Sequence, residues 1–337
     1  MAEPTQDLEH AMVARLLAPL AHGLPGALGL EDDAAVVSVP PGHDLVVTLD
    51  TLNDGVHFLF DGSSAQARDI AAKALAVNVS DLAAKGAVPH AYFLSLALPG
   101  GELPWLDSFV AGLAEAQAQF GMALSGGDTT RIGAGLSISI TALGLVPAGG
   151  MVRRGGARSG DVLYVSGTIG DAVLGLELRR EAAEAAALME ALSEAEVVQL
   201  LRRHLRPEPR LALASVLRQC QAAAMDVSDG LVIDLDRMCR ASRTGARLMA
   251  AQVPHSAAAS KVLSAGLVTR QRLMTGGDDY EILAAVPCPM TGRFEAGAAA
   301  AGIAVTAVGE MIAGGEVVVL DEALAPMTFV SRGFAHL

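Results

Sequence analysis

Apolar segments of strand and helix length alternate along this chain, but not in the strict strand–helix–strand order of a doubly wound sheet. In the first half, the pattern predicts strands at 34–39, 44–50, 92–98, 122–125 and 136–146, and helices at 65–85 and 106–120. Some of these strands are separated by a helix and others are not. The order of elements therefore predicts an α+β fold with two domains.

A segment rich in Gly and Arg, 147–160, predicts the junction between these domains. The chain has 337 residues, and a single hydrophobic core rarely grows beyond ~250–300 residues. We expect an N-terminal domain at 1–150 and a C-terminal domain at 151–337. In the second half the pattern predicts a strand at 162–166, a helix at 170–180 and one Ala-rich, exposed helix at 181–204.

Charge and composition exclude several classes of protein. The net charge of −13 argues against a nucleic-acid surface. No uncharged apolar run approaches the ~18–20 residues of a membrane helix, and the acidic start (Glu3, Asp7, Glu9) is unlike a signal peptide. Three scattered cysteines predict neither a disulfide framework nor a zinc site. We expect a cytoplasmic protein that binds neither membranes nor nucleic acid.

Aspartates recur at the ends of apolar segments. They are Asp32, Asp33, Asp50, Asp81, Asp128, Asp226, Asp229, Asp278 and Asp279. One Asp beside Gly is usually a turn residue or a helix N-cap. Several buried carboxylates are costly unless cations neutralise them, and oxygen ligands suit Mg²⁺, Mn²⁺ or Ca²⁺ rather than zinc. Since Mg²⁺ commonly shares its shell with phosphate oxygens, the pattern indicates a nucleotide site with several metal ions.

The usual phosphate-binding signatures are missing from the sequence. There is no P-loop, no dinucleotide-binding glycine fingerprint and no protein-kinase signature set. An acidic protein that binds phosphates then needs other donors. Gly-Gly-Asp turns, metal ions and arginines such as Arg131 and Arg154 are the candidates.

A series of short motifs runs nearly from end to end. They are EDDAA at 31–35, DTL at 50–52, GVHF at 55–58, AVNVSDLAA at 76–84, GGDTTR at 126–131, VSGTIGD at 165–171, HLRPEPR at 204–210, MDVSDGL at 225–231, GGDDYE at 276–281 and GFAH at 333–336. In number and order these motifs resemble the thiamine-monophosphate kinase family, which is related to aminoimidazole ribonucleotide synthetase and selenide water dikinase.

The resemblance implies an enzyme that phosphorylates thiamine monophosphate to thiamine diphosphate with ATP, by direct in-line transfer assisted by several Mg²⁺ ions. It implies an N-terminal domain that binds ATP and magnesium and dimerises through its sheet. It also implies a C-terminal α+β domain that completes the active-site cleft. The expected partners are therefore the two small substrates and a second copy of the chain.

The resemblance also implies roles for individual residues. The implied magnesium ligands are Asp33, Thr48, Leu49, Asp50, Asp81, Asp128, Asp226 and Asp229. The implied ATP contacts are Phe120, Gly127, Asp128, Arg154 and Ser228. The implied contacts to thiamine monophosphate are His57, Glu281 and Phe334. Among all of these, Asp50, Asp128 and Asp229 are the expected catalytic residues.

Three positions depart from the family pattern. Glu31 stands where the family usually has Gly, Leu49 replaces a frequent Thr, and Ala335 replaces a frequent Asp. Leu49 is compatible with a metal contact if that contact is made by its backbone carbonyl. None of the three departures removes a carboxylate from the implied magnesium set.

Two alternatives remain open. The first is another ATP-dependent phosphotransferase of the same superfamily. Selenide water dikinase is disfavoured because the N-terminal half has no cysteine. Aminoimidazole ribonucleotide synthetase is disfavoured by the residues around His57 and Glu281. The second alternative is a non-catalytic ATP-sensing module, which the metal ligands in both halves disfavour.

Overall fold

The computed structural model describes residues 11–99, 103–180 and 183–334, and the chain forms two compact units. The first unit comprises the residues up to Leu82 together with Ala87–Gly149, and the second comprises Ala83–Gly86 and the residues from Gly150 onward. The division after Gly149 falls inside the Gly- and Arg-rich segment. Within the described residues, no helix is both long and apolar enough to cross a bilayer.

The first unit is built on a four-stranded mixed sheet. Its elements are, in chain order, β1 (His43–Asn53), α1 (Ser64–Ala84), β2 (Val88–Pro99), α2 (Leu106–Phe120), β3 (Ala123–Ile132) and β4 (Ser137–Pro147). The strand order is β1-β4-β2-β3, with β2 and β3 parallel and the other pairs antiparallel. The predicted helices and four of the five predicted strands are confirmed, although β1, β2 and β3 are longer than the apolar pattern indicated.

The strand predicted at 34–39 is wrong. Residues 35–39 have no strand partner and lie in an irregular segment. The amide of Val36 donates to the carbonyl of Gly26, which is a single bond between loops. Val36 and Val39 are exposed, so their apolar character does not mark a buried strand face.

Helix α1 is buried almost all round, and this explains its Ala-rich sequence. It ends where Gly86 adopts a left-handed backbone with φ +70°, and the amide of Ala87 donates to the carbonyl of Leu82. Such a turn closes a helix by satisfying its last carbonyls. Asn78 and Ser80 are buried polar side chains of this helix, so its polar groups face the interior of the unit.

The second unit contains a six-stranded mixed sheet in the order β10-β7-β9-β5-β8-β6. Its strands are β5 (Val162–Ser166), β6 (Ala223–Val227), β7 (Gly245–Met249), β8 (Glu281–Val286), β9 (Val305–Ile312) and β10 (Val317–Leu320). Its helices are α3 (Asp171–Leu178), α4 (Ala183–Ala191), α5 (Glu194–Leu205), α6 (Ala214–Gln219), α7 (Leu231–Ser242), α8 (Ala257–Ser264), α9 (Arg270–Thr275) and α10 (Thr291–Ala300).

Both faces of this sheet are covered. Successive side chains of a strand point to opposite faces, and Leu283 and Ala285 of β8 join one hydrophobic cluster while Ile282 and Ala284 join another. The first cluster includes residues of α7, and the second includes residues of α6 and α10. The outer helices α3, α5 and α8 form a third cluster.

The prediction of one continuous helix at 181–204 is wrong. The segment contains two helices, α4 and α5, and the break lies at Ser193, which has extended backbone. The Ser193 side chain accepts from the amide of Glu196, and the Glu196 carboxylate accepts from the amide of Ser193. This capping box starts a new helix. The helices are not simply exposed either, because Leu188 and Leu200 are buried.

Candidate active site

In the first unit, polar side chains of β1 meet one face of α1. Asn78 and Asp81 are three residues apart and therefore lie on the same face of the helix. The Thr48 hydroxyl donates to Asp81 Oδ2 at 2.5 Å, and the backbone amide of Asp50 donates to Asn78 Oδ1 at 3.1 Å. The structure thus brings Thr48 and Asp81 into contact and places the backbone of Asp50 against Asn78, on the same face of α1. Leu49 lies between Thr48 and Asp50 with an exposed side chain.

A second group of predicted residues lines a cavity of about 320 Å³ in the same unit. Asp33, Gly127 and Asp128 all line it, together with apolar side chains such as Leu17 and Phe93. A Cβ on Gly127 would lie 1.9 Å from the carbonyl oxygen of Leu94. Only glycine therefore lets β3 approach β2 so closely at this point. The Gly-Gly-Asp motif places Asp128 at the cavity because its backbone packs this tightly.

These two groups lie at separate places on the sheet. Asp50 is in register with Ile140, Ile140 with Leu94, and Leu94 with Gly127. Three strand spacings of ~4.8 Å separate β1 from β3 by ~14 Å. Asp50 and Asp128 of one chain therefore cannot bind the same ion in this arrangement.

The donors present fit magnesium rather than a transition metal. In the part of the chain that the structure describes, no group of three or more His, Cys, Asp or Glu side chains could hold a metal ion. Mg²⁺ in nucleotide sites typically takes about one or two carboxylates, and phosphate oxygens and water complete the shell. Oxygen donors in small groups, such as Thr48 with Asp81, have this chemistry.

The predicted residue His57 lies in the turn after β1. Its Nδ1 accepts from the amide of Asn53 at 3.0 Å, and its own amide donates to the carbonyl of Asn53. The buried Lys73 of α1 donates to the carbonyl of His57 at 3.1 Å. These bonds fix the turn and leave the ring partly exposed. Phe120, a predicted ATP contact, is half-buried at the last position of α2.

In the second unit, the predicted residues Asp226, Ser228 and Asp229 lie at the carboxyl end of β6. Asp226 is buried within the strand, and Ser228 and Asp229 follow it in a loop. The buried Asp234 of α7 accepts from the amides of both Ser228 and Asp229, at 3.1 and 3.0 Å. One side chain of α7 therefore fixes the backbone of the loop.

Arg237 links the carboxylates of this loop and helix. Its Nη1 lies 2.5 Å from Asp229 Oδ2 and 2.7 Å from Asp234 Oδ1. Burial, together with repulsion from Asp229, raises the pKa of Asp234 to about 6, although Arg237 opposes this rise. Arg237 is thus the internal counter-ion of a predicted magnesium ligand.

The predicted ATP contact Arg154 lies elsewhere in this unit. Its carbonyl accepts from the hydroxyl of Ser242, at the carboxyl end of α7. Ser228 and Asp229 precede the amino end of the same helix, which is ~18 Å long at ~1.5 Å per residue. The structure therefore does not bring Arg154 and Ser228 together within the unit.

The turn before β8 contradicts one expectation for the substrate site. The Glu281 side chain has no exposed surface, and its carboxylate accepts from Ser166 Oγ at 2.6 Å, Arg203 Nη2 at 2.7 Å and Arg210 Nε at 2.7 Å. Glu281 therefore presents nothing to a ligand. The carboxylate of this turn that reaches the surface is Asp278, whose side chain is 22% exposed.

Asp278 lies beside the loop that carries Ser228 and Asp229. Its amide donates to the carbonyl of Ser228 at 2.7 Å, and the amide of Phe334 donates to the carbonyl of Asp229 at 2.9 Å. The Phe334 side chain is 46% exposed. Ser228, Asp229, Asp278 and Phe334 thus lie on adjacent loops at one edge of the sheet.

Sequence reasoning singled out Asp278 among the aspartates that end apolar segments but gave it no specific role, and it missed Asp234 and Arg237. The signal for Asp278 was present, because it follows the Gly-Gly pair just as Asp128 does. Asp234 and Arg237 have no sequence signal beyond their places on an amphipathic helix. Of the three departures, Glu31 has an ordinary backbone with φ −98°, so glycine is not required there. Ala335 lies outside the described residues.

Comparisons with known protein families match both halves of the chain. The model of the AIR synthase related protein, N-terminal domain, matches residues 31–146, and that of the C-terminal domain matches residues 158–322. The two matches leave residues 147–157, most of the Gly- and Arg-rich segment, between them.

Individual relatives are similar over most of their length. The thiamine-monophosphate kinase of Caulobacter vibrioides is 42% identical over 318 residues, which cover 93% of this chain and 86% of the relative. The crystal structure of thiamine-monophosphate kinase from Stenotrophomonas maltophilia K279a matches with a TM-score of 0.76 at 39% identity, over 86% of this chain and 89% of that one. The structure of AaThiL complexed with AMPPCP and TMP matches with a TM-score of 0.74 at 27% identity, over 98% and 95% of the two chains.

Proposed function

The chain belongs to the thiamine-monophosphate kinase family, and on that premise we propose that it transfers the terminal phosphoryl group of ATP to thiamine monophosphate, giving thiamine diphosphate. The observation that carries the proposal is the match to a kinase of this name at 42% identity over 93% of the chain. AaThiL binds AMPPCP and TMP, which we take as the counterparts of ATP and thiamine monophosphate.

The chemistry of the two substrates sets what the protein must do. Both are anions, and two unit charges ~4 Å apart repel by ~1 kcal/mol in water and by several times more in a protein cleft. The attacking oxygen belongs to a phosphate monoester, whose second pKa is ~6, so it is ionised at neutral pH. No strong general base is required. The residues of the site need only position the phosphates and balance their charge.

We propose magnesium ions as the source of that balance. Their ligands in the first unit would be Asp33, Asp128, and the group formed by Thr48, Asp50 and Asp81. The carbonyl of Leu49 is a further candidate. In the second unit the ligands would be Asp226 and Asp229. Bound Mg²⁺ would neutralise phosphate oxygens and orient them for in-line attack.

The nucleotide contacts remain as the family resemblance implied them, at Phe120, Gly127, Asp128, Arg154 and Ser228. For thiamine monophosphate we propose His57, Asp278 and Phe334, with Asp278 in place of the buried Glu281. The thiazolium ring is a cation, so a carboxylate and an aromatic face both suit it. Asp278 and Phe334 supply these two groups on adjacent loops.

We further propose that the chain forms a homodimer through the sheet of its first unit. The edge strand β1 exposes the apolar side chains of Val47 and Leu49. Edge strands that expose apolar residues favour pairing with another chain. Sedimentation at micromolar concentration should give twice the monomer mass of 34.5 kDa.

The function is tested with purified protein, ATP and Mg²⁺. Thiamine monophosphate should be converted to the diphosphate with one ADP released per turnover. Unphosphorylated thiamine should be inert, because the attacking group is its phosphate. Turnover of thiamine without turnover of its monophosphate would contradict the assignment. Binding of ATP without any ADP release would favour the non-catalytic alternative.

A further inference from the structure

The turn Gly276–Tyr280 holds an unusual backbone. Asp278 and Tyr280 both have left-handed φ values, +71° and +50°. Such conformations are uncommon for residues other than glycine and persist only when the surroundings enforce them. Two of them in five residues imply that neighbouring groups hold this turn from outside.

The last turn of α5 supplies two of these groups. Arg203 Nη2 donates to the backbone carbonyl of Asp279 at 3.2 Å and to Glu281 Oε1 at 2.7 Å. The next residue, His204, is buried, and its Nδ1 lies 3.3 Å from Asp278 Oδ2. Adjacent residues of one helix thus contact Asp278, Asp279 and Glu281.

Two other motifs complete the contacts. The chain turns after α5 through Pro207 and Pro209, so that Arg210 also reaches Glu281, with Nε 2.7 Å from Oε2. The amide of Gly170 donates to both carboxylate oxygens of Asp279 at 3.0 Å. The motifs at 165–171 and 204–210, which have no assigned ligand, therefore both bind the turn that carries Asp278.

His204 itself has little freedom to move. It packs on α3 at Gly175, where an added Cβ would lie 2.8 Å from the Cβ of His204. Because the His204 side chain is confined in this way, it can fix the orientation of the Asp278 carboxylate beside it. Asp278 also lies 3.3 Å from the Tyr280 hydroxyl, so its carboxylate is held from two sides while part of it stays exposed.

We propose that His204 is a positioning residue, which holds the Asp278 carboxylate toward thiamine monophosphate. This inference rests on the proposed function, in which Asp278 contacts that substrate. Arg203, Arg210 and Glu281 anchor the turn below it. His204 contacts no substrate in this scheme and acts only through Asp278.

The test is a double-mutant cycle on the full-length enzyme with His204→Leu, Asp278→Asn and the double variant. Loss of one charge-assisted contact should raise the KM for thiamine monophosphate about 10-fold for Asp278→Asn. His204→Leu should raise it by a similar factor, and the double variant should be no worse than Asp278→Asn alone. The kcat and the KM for ATP should change by less than about 3-fold in each case.

Two further variants separate positioning from general damage. In His204→Asn the amide nitrogen takes the place of Nδ1, and it should restore most of the KM lost in His204→Leu. Arg202→Gln lies on the same turn of α5 but is exposed, and it should leave all constants unchanged.

The outcomes distinguish the inference from its premise. If the wild-type protein fails to turn over thiamine monophosphate, the proposed function fails. If Asp278→Asn leaves the KM unchanged, the Asp278 contact is wrong. If both single variants raise the KM and the double variant multiplies their effects, His204 acts independently and the inference is overturned. It is likewise overturned if His204→Asn folds normally but behaves like His204→Leu.

Discussion

Asp278 and Glu281 are three residues apart in the chain, and their carboxylates meet different surroundings. Glu281 starts β8 and points into the unit, where two arginines and a serine bind it. Asp278 precedes the strand, in a left-handed conformation that turns its side chain toward the surface. We therefore assign the proposed contact with thiamine monophosphate to Asp278, while Glu281 anchors the turn that carries it.

The aspartates proposed as magnesium ligands should matter for rate and not for folding. Asp50→Asn, Asp128→Asn and Asp229→Asn should each lower kcat by about 10²-fold or more, the scale for losing a preorganised charge-stabilising group. Arg237 keeps Asp234 as a partner in Asp229→Asn, so the melting temperature should hold. The matched control is Asp107→Asn, an exposed surface pair with Arg15. Near-normal kcat in all three variants would make these aspartates turn residues.

Phe334 should act on substrate affinity. Its ring is about half exposed and its backbone is tied to Asp229. Stacking of a partly exposed ring on a cation is worth ~0.5–2 kcal/mol, so Phe334→Ala should raise the KM for thiamine monophosphate from a few-fold to about 30-fold. The KM for ATP and the melting temperature should stay unchanged, as in the control Val330→Ala, which is fully exposed. A fall in melting temperature with unchanged KM would instead identify Phe334 as a packing residue.

At the scale of elements, β3 depends on a close backbone approach. Gly127 leaves no room for a side chain beside Leu94, and this closeness brings Asp128 to the cavity. A helix depends on its ends in a comparable way, because α5 begins only where Ser193 and Glu196 satisfy each other's amides. In both elements one or two residues determine where a functional segment lies.

Gly127→Ala should destabilise the first unit severely. The added Cβ would meet a carbonyl oxygen at 1.9 Å, and overpacking typically costs ~1–3 kcal/mol and more where backbone must move. We expect a clear loss of melting temperature and soluble yield. Gly133→Ala is the matched control, because nothing lies within 4 Å of an added Cβ there. Equal stability of the two variants would show that β2 and β3 are less tightly packed than described.

The capping box of α5 should make a pH-dependent contribution to the stability of the fold. Hydrogen bonding from the Ser193 backbone, and then from Lys261, lowers the pKa of Glu196 to about 2. A carboxyl whose folded-state pKa is lowered stabilises the fold above its ordinary pKa and loses that effect as the pH falls toward the lowered value. Glu196→Gln should therefore lower the melting temperature at pH 7, and the difference from wild type should shrink progressively from about pH 5 down to about pH 2. A difference that stays constant with pH would exclude this mechanism.

Local periodicity was sufficient for most of the elements that the sequence analysis predicted with bounds, all of which lie before residue 205. The helix 106–120 and the strand 162–166 agree with the structure to the residue, because their apolar patterns are regular and their ends carry clear stop signals. The errors arose where contacts with residues distant in the sequence determine the local structure. Residues 34–39 look like a strand but have no neighbour to pair with, and Glu281 looks like a site residue until two distant arginines bind it. No local pattern contains that information.

At the scale of the whole molecule, the charge conflicts with the ligands. The chain carries a net charge of −13, and both proposed substrates are anions. Nucleotide binding must then depend on local cations. Arg237 is such a cation, but it already lies between two aspartates and balances their charge. We therefore expect divalent ions to bring phosphates to these carboxylates, with Arg154 as a further cation toward the nucleotide.

Thermal melts should detect this dependence directly. With Mg²⁺, ATP at 100 times its Kd stabilises the folded state by ~2.7 kcal/mol, which should raise the melting temperature by several degrees. With excess EDTA the same ATP should give no shift, because its phosphates would face unneutralised carboxylates. Magnesium alone controls for direct stabilisation of the fold. An equal shift from ATP in EDTA would show that the protein binds the nucleotide without metal.

The pairing of one glutamate with two arginines beneath the turn also limits how such a sequence can drift. Changing Glu281 alone leaves Arg203 and Arg210 without their shared carboxylate, and changing either arginine alone removes hydrogen bonds from a buried carboxylate. Both changes are destabilising, whereas replacing a whole buried group by apolar residues of similar volume is often neutral. The tolerated alternatives are thus separated from the present sequence by several simultaneous substitutions. Single substitutions at these three positions are destabilising. We therefore expect the three residues to be retained together or replaced together.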